Sequence, residues 1–159
     1  MLYSDEVNDS TRPARIGFLL AQLGTHAADV FAEQIQPLGI TPSDAGVLRI
    51  IGRSPGIAQR QLADKLGALP SRVVALIDKL ERAGLAERTR STTDRRAQEL
   101  NLTDDGRKLL AELRKAAMAQ EREVTNGLTD EQRTQLHDLL ATMSHLQGLD
   151  ADVHPGYRG

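Results

Sequence analysis

Apolar positions recur along this chain at three- and four-residue intervals, broken by capping residues and glycines. Ile16, Leu19, Leu20, Leu23, Ala27, Val30, Phe31, Ile35 and Leu38 hold one face of a long helix starting at Pro13 and ended by Pro37 and Gly39. Thr41-Pro42-Ser43-Asp44 is a helix-start signal, and Ala45, Val47, Leu48, Ile50 and Ile51 carry that helix to about Gly52. Ser54-Pro55-Gly56 predicts a turn, and a short helix follows over 57–67 with Leu62, Ala63 and Leu66 inward. A further helix starts at Pro70-Ser71, runs Val73, Val74, Leu76, Ile77 and Leu80, and stops at Gly84. Two alternating runs, 85–90 and 97–102, read as strands around the polar tip Ser91-Thr92-Thr93-Asp94-Arg95-Arg96. Thr103-Asp104-Asp105-Gly106 caps another long helix with Leu109, Leu110, Leu113, Ala116, Ala117 and Val124. Asn126-Gly127 breaks it, and Leu128-Thr129-Asp130-Glu131-Gln132 caps a last one with Leu136, Leu139, Leu140, Met143 and Leu146. Residues 1–12 and 148–159 read as tails, and no strand is expected outside 85–102.

A helix pair followed by strand, basic tip and strand is the layout of a winged helix-turn-helix. The predicted fold is mainly α with a small β-wing. A winged helix-turn-helix head over 41–103 joins long N- and C-terminal dimerisation helices, 13–38 and 104–147. The long apolar stripe of the first helix suits packing against the C-terminal helices of a second copy, a homodimer.

Composition narrows the function. The absence of cysteine excludes disulfides, thiolate zinc sites and thiol redox sensing, and suits a reducing cytoplasm. No apolar run approaches the roughly 20 residues that span a bilayer, and the acidic start carries no signal-peptide pattern. The net charge of −2 argues against a polyanion partner until its distribution is read. Residues 53–96 hold ten basic side chains against five acidic ones, net +5, and the remainder of the chain is net −7. A basic segment in an acidic protein is the footprint of a phosphate-binding face, although scattered solvated charge gives the same count.

A recognition helix presents small polar residues at its N-terminus. Pro70, Ser71, Arg72, Val74, Ala75 and Lys79 are therefore the candidate outer-face residues. Ser71 can donate to a phosphate or base, Arg72 can pair with guanine or phosphate, and the Val74 methyls suit a thymine methyl. The competing reading makes Arg72 and Lys79 ordinary surface charges, paired with Asp78. At the wing, Arg95 and Arg96 extend beyond the protein body toward an electronegative minor groove, and Asp94 braces one of them by a bidentate pair.

Leu38-Gly39-Ile40-Thr41-Pro42, Gln61-Leu62-Ala63, Pro70-Ser71-Arg72-Val73-Val74, Leu80-Glu81-Arg82-Ala83-Gly84-Leu85, Asp94-Arg95-Arg96 and Leu102-Thr103-Asp104-Asp105-Gly106 together resemble the MarR family (multiple antibiotic resistance regulators) over about 16–147. The resemblance implies a homodimeric winged-helix protein on palindromic double-stranded DNA, usually a repressor released by a small ligand. It puts Pro70, Ser71, Arg72 and Val74 on the recognition helix and Arg95 and Arg96 on the wing with Asp94 bracing them. It also puts a ligand pocket between dimerisation helices and head, near which lie Phe18, Gln22, His26, Arg49 and Arg53. There Arg49 suits the carboxylate of an aromatic acid and His26 can hydrogen-bond it, although interface or solvent roles fit these residues too. Two departures stand out: Ile57-Ala58 and Leu69 occupy positions where a capping side chain is usual, and neither can cap.

No cofactor is implied. His26, His137, His145 and His154 are dispersed without a metal-ligand spacing, and no phosphate loop or nucleophile elbow occurs. Asp104-Asp105 is better explained by the helix dipole than by catalysis. The chain reads as a regulator and not an enzyme. The alternative is a winged-helix module that binds DNA constitutively or serves protein interaction, without ligand response.

Overall fold

The computed structural model describes residues 14–91, 97–150 and 153. Helix α1 spans Ile16–Ile35 and passes through a 3-10 turn, Gln36–Leu38, to Gly39, whose φ of 71° only glycine adopts cheaply. Then come α2 (Pro42–Arg53), β1 (Ile57–Ala58), α3 (Gln59–Leu66), α4 (Pro70–Arg82), β2 (Ala86–Arg90), β3 (Gln98–Leu102), α5 (Asp104–Val124) and α6 (Asp130–Leu146). The mainly helical winged-helix architecture expected from the sequence is what the chain adopts.

One expectation is corrected. Ile57 and Ala58 do not open α3; they form a third strand, giving the antiparallel order β1-β3-β2 with Ile57 opposite Leu100 and Ala58 opposite Glu99. The pairing partner lies more than forty residues downstream, so local periodicity carries no trace of it. Ala58, the N-cap of α3, has no side-chain acceptor, and only the reciprocal half of a capping box is made: Gln61 Oε1 accepts the Ala58 amide at 3.1 Å.

A single apolar core runs through the head and the adjoining parts of α1 and α5. Ile35, Val47, Leu48, Ile51, Leu62, Leu66, Val73, Ile77, Leu80 and Leu100 are essentially inaccessible, and Leu110 and Leu113 close the cluster from α5. Each large apolar side chain buried here contributes roughly 1.5–3 kcal/mol. The first turn of α5 is seated on the turn after α4. Thr103 Oγ1 donates to the Gly84 carbonyl at 2.6 Å and accepts the Gly106 amide at 3.0 Å. A Cβ at Gly106 would collide with the Leu85 carbonyl oxygen, which gives the glycine of the Leu102–Gly106 motif its physical reason. Asp104 and Asp105 sit in this first turn and pair with Arg107 and Lys108. The Arg107 hydrogen bond and charge hold Asp104 below its ordinary pKa, and Asp105 holds Lys108 above its own.

Away from the head the helices are bare. α6 buries none of its residues, and Leu139 and Leu146 are 65% and 75% exposed. Ile16, Phe18, Leu19, Leu20 and Leu23 are likewise exposed on the first half of α1. The segment after α6 is not wholly apart from the head: Asp150 pairs with Lys65 at 3.6 Å and Val153 packs against the core.

Candidate nucleic-acid interface

Helix α4 divides cleanly. Val73, Ile77 and Leu80 face the core, while Pro70, Ser71, Arg72, Val74 and Ala75 are exposed around its first two turns. Its capping residue, Leu69, makes no side-chain hydrogen bond, and its carbonyl accepts the Arg72 and Val73 amides at 3.0 and 3.2 Å. The strands of the wing lie beside this helix, β2 paired to β3 from Ala86–Leu102 to Arg90–Gln98. Ser91 and Ala97 close the described part of the hairpin through a 3.1 Å backbone bond. Asp94, Arg95 and Arg96 lie outside the described residues.

Besides Lys65, which pairs with Asp150, Arg88 and Lys79 of the basic segment are used internally. Arg88, only 16% exposed, ties the wing to both helices of the pair. Its guanidinium meets Asp78 Oδ1 at 2.7 Å and Gln59 Oε1 at 2.9 Å and also pairs with Glu81, while its own amide donates to Glu81 Oε1 at 2.9 Å. Lys79 reaches the carboxylate of Asp44, a fully inaccessible side chain in the first turn of α2, with Nζ 2.6 Å from Oδ2. The same oxygen accepts the Thr41 amide and hydroxyl, each at 2.8 Å, and the Thr41 hydroxyl accepts the Asp44 amide at 3.2 Å. Burial pushes the Asp44 carboxyl up. The hydrogen bonds from Lys79 and Thr41, with the Lys79 charge, outweigh it and hold the group below its ordinary value. Lys79 thus departs from its expected outer-face place: its ammonium is drawn back to α2, and Asp78 pairs with Arg88 instead.

Other cations stay clear of such pairs. Arg60 on α3, Arg72 and Arg82 on α4 and Arg90 at the end of β2 are exposed and have no ion-pair partner among the described residues. The sequence pointed to Arg72; Arg60 and Arg90 were counted in the basic segment without being singled out. Arg60 stands in α3, the helix before α4, and Arg90 at the end of β2.

Residues 38–97 match the model of the MarR family. A protein of Thauera aromatica named as a regulator for the hcr operon is 33% identical over 136 residues, covering 85% of this chain and 82% of that protein. The chain belongs to the MarR family. The HTH-type transcriptional repressor MdtR of Bacillus subtilis is 31% identical over 74% of this chain and 76% of its own length. The transcriptional repressor CouR, solved bound to a 23-mer DNA duplex, superposes with a TM-score of 0.72 at 35% identity, covering 82% of this chain and 92% of that one. This MarR-family protein is therefore a DNA-binding transcriptional regulator and not an enzyme.

The candidate effector residues of this MarR-family chain are distributed over α1 and α2. Phe18, Gln22 and His26 lie on the exposed part of α1, Arg53 is exposed at the end of α2, and Arg49 is half-buried. Two hollows among the described residues are lined by other side chains. One of about 460 Å³ is lined by Gln59, Arg60, Asp64, Ala68 and Pro70 between α3 and α4, and one of about 370 Å³ by Ala117, Met118, Glu121 and Arg122 on α5. His137 and His145 stand on exposed positions of α6, and His154 lies outside the described residues. No group of three or more potential metal ligands assembles among the described residues.

Proposed function

We propose that this protein is a homodimeric repressor that binds a palindromic operator and is released by a small ligand, with an aromatic acid the fitting class. The observation that carries the DNA-reading part is the exposed N-terminal half of α4, with Ser71, Arg72 and Val74 outward and, beside it, exposed arginines without an ion-pair partner among the described residues at Arg60 and Arg90. Ser71 and Arg72 address phosphates and base edges, and Arg95 and Arg96 of the wing reach the flanking groove. CouR, solved bound to a DNA duplex, supports DNA binding by this chain.

The dimer reading rests on α1 and α6. A helix of 17 residues with no buried residue, carrying Leu136, Leu139, Leu140, Met143 and Leu146 exposed, does not hold its apolar stripe in water unaided. A second copy covering it brings two recognition helices to the roughly 34 Å spacing of successive major grooves. It also covers the exposed side of Phe18, Gln22 and His26, so an effector site there is completed only in the dimer. An effector acts through its different affinity for the DNA-spaced and relaxed dimers.

Fluorescence anisotropy with the intergenic DNA beside its own gene, as a full palindrome and as a half-site, tests this reading. The palindrome is expected to bind at least a hundredfold more tightly, and a panel of aromatic carboxylates is expected to contain a releasing compound. Equal affinity for the two duplexes contradicts the dimeric reader. Binding untouched by every carboxylate favours the constitutive module.

A further inference from the structure

Helix α4 presents to its outer side a strip unusually poor in hydrogen-bonding groups. Ser71, Val74, Ala75 and Asp78 recur at intervals of three and four, so they share one face. Asp78 is held by Arg88 at 2.7 Å and is not available to a base. Val74 is 38% exposed and Ala75 is also exposed. Ahead of them Leu69, a large apolar side chain 73% exposed, stands at the entry of the helix, where a polar cap would ordinarily sit. Neither Val74 nor Leu69 joins the buried core cluster, so core packing among the described residues does not account for them.

On the floor of the major groove one group matches such a surface: the C5-methyl of thymine, since every other distinguishing feature there is a donor or acceptor. We propose that this chain discriminates its operator chiefly by thymine methyl contacts through Val74 and Ala75, with Leu69 covering a further methyl at the leading edge. Ser71 supplies the single hydroxyl of the strip. Affinity comes from the flanking Arg60, Arg72, Arg82 and Arg90, which neutralise phosphates on either side of the apolar strip. The operator of such a reader is rich in T·A pairs at the positions under α4. This rests on the reading of α4 as the recognition helix.

The test uses the full-length protein. Duplexes enriched by it from a random-sequence pool are rebuilt with deoxyuridine in place of thymidine, which deletes the methyl and leaves every hydrogen-bonding group of the base in place. Wild-type protein is expected to bind the uracil duplexes about fivefold to twentyfold more weakly than the thymine duplexes. In Val74→Ser, whose site is already partly exposed and whose fold is read by circular dichroism, that penalty is expected to fall at least twofold, Ala75 and Leu69 keeping their share. Leu69→Ala is expected to lower the penalty at the outermost position alone. Equal affinity of wild type for thymine and uracil duplexes overturns the proposal while leaving DNA binding in place. So does a penalty unchanged in Val74→Ser, because the methyl then acts through duplex shape and not through α4. Failure to enrich any duplex overturns this inference together with the recognition-helix reading.

Discussion

Arg88 illustrates how a single side chain separates reading DNA from holding the reader. It sits in the basic segment, yet its guanidinium is spent on Asp78, Gln59 and Glu81, fixing β2 to α3 and α4. Arg88→Ala is expected to weaken operator binding at least tenfold through loss of wing and helix geometry. The slope of log affinity against log salt should stay where it is, because no phosphate contact is removed. A slope reduced by about one would make Arg88 a phosphate ligand after all. Asp44 gives a prediction in pH. Its folded pKa is depressed below an ordinary value near 3.8, so its stabilisation is complete above that pH and is lost as pH falls through the lower, folded value. Wild type should exceed Asp44→Asn by about 1 kcal/mol near neutrality, a figure kept small because Lys79 is half exposed. In urea melts the gap should close below about pH 3.8; a gap that widens in acid contradicts the assignment. The sequence exposed Arg72 as an outer-face residue but not the fates of Arg88 and Lys79. Their partners lie up to 35 residues away, and charge spacing along one helix does not report contacts with another.

At the scale of elements, boundaries marked by backbone chemistry were legible and those set by tertiary pairing were not. Gly67 and Gly84, at φ of 60° and 70°, end α3 and α4, and Thr41, Thr103 and Thr129 begin α2, α5 and α6 with side-chain caps. Each signal is a local preference written into a few consecutive residues. β1 is only two residues long and owes its existence to Leu100 and Glu99 of β3, so its own sequence reads as the start of α3. Gly106 shows an element junction dictated by space. Gly106→Ala places a methyl against the Leu85 carbonyl and must push α5 off the wing–α4 turn. The expected cost is about 2–3 kcal/mol, visible as a fall of several degrees in Tm. A variant with unchanged Tm contradicts the close approach.

For the whole molecule, a folded head carries two long helical arms whose apolar faces find little cover within one chain. The exposed apolar stripes of α1 and α6 predict a particle of about twice the 17.4 kDa chain mass in sedimentation velocity. Introducing charge by Leu139→Glu with Leu146→Glu should drive it to monomer and abolish palindrome binding while leaving the helical content of the head. The family assignment was readable from sequence because its motifs coincide with caps, turns and the wing, the parts of the chain under the tightest local constraint. The candidate effector residues were less legible: Phe18, Gln22 and His26 lie on α1 and Arg49 and Arg53 on α2, and local patterning does not report how side chains of separate helices are grouped. The central claim is that α4 and the wing form one phosphate-anchored reading surface. The most direct test is a salt titration of full-length wild type, Arg72→Ala, Arg95→Ala and Arg96→Ala on a fluorescent duplex of the adjoining intergenic DNA. The account predicts tight, salt-dependent binding by wild type, and in each variant weaker binding with the salt slope reduced by about one. Equal, weak binding by all four proteins, indifferent to DNA sequence, would contradict it.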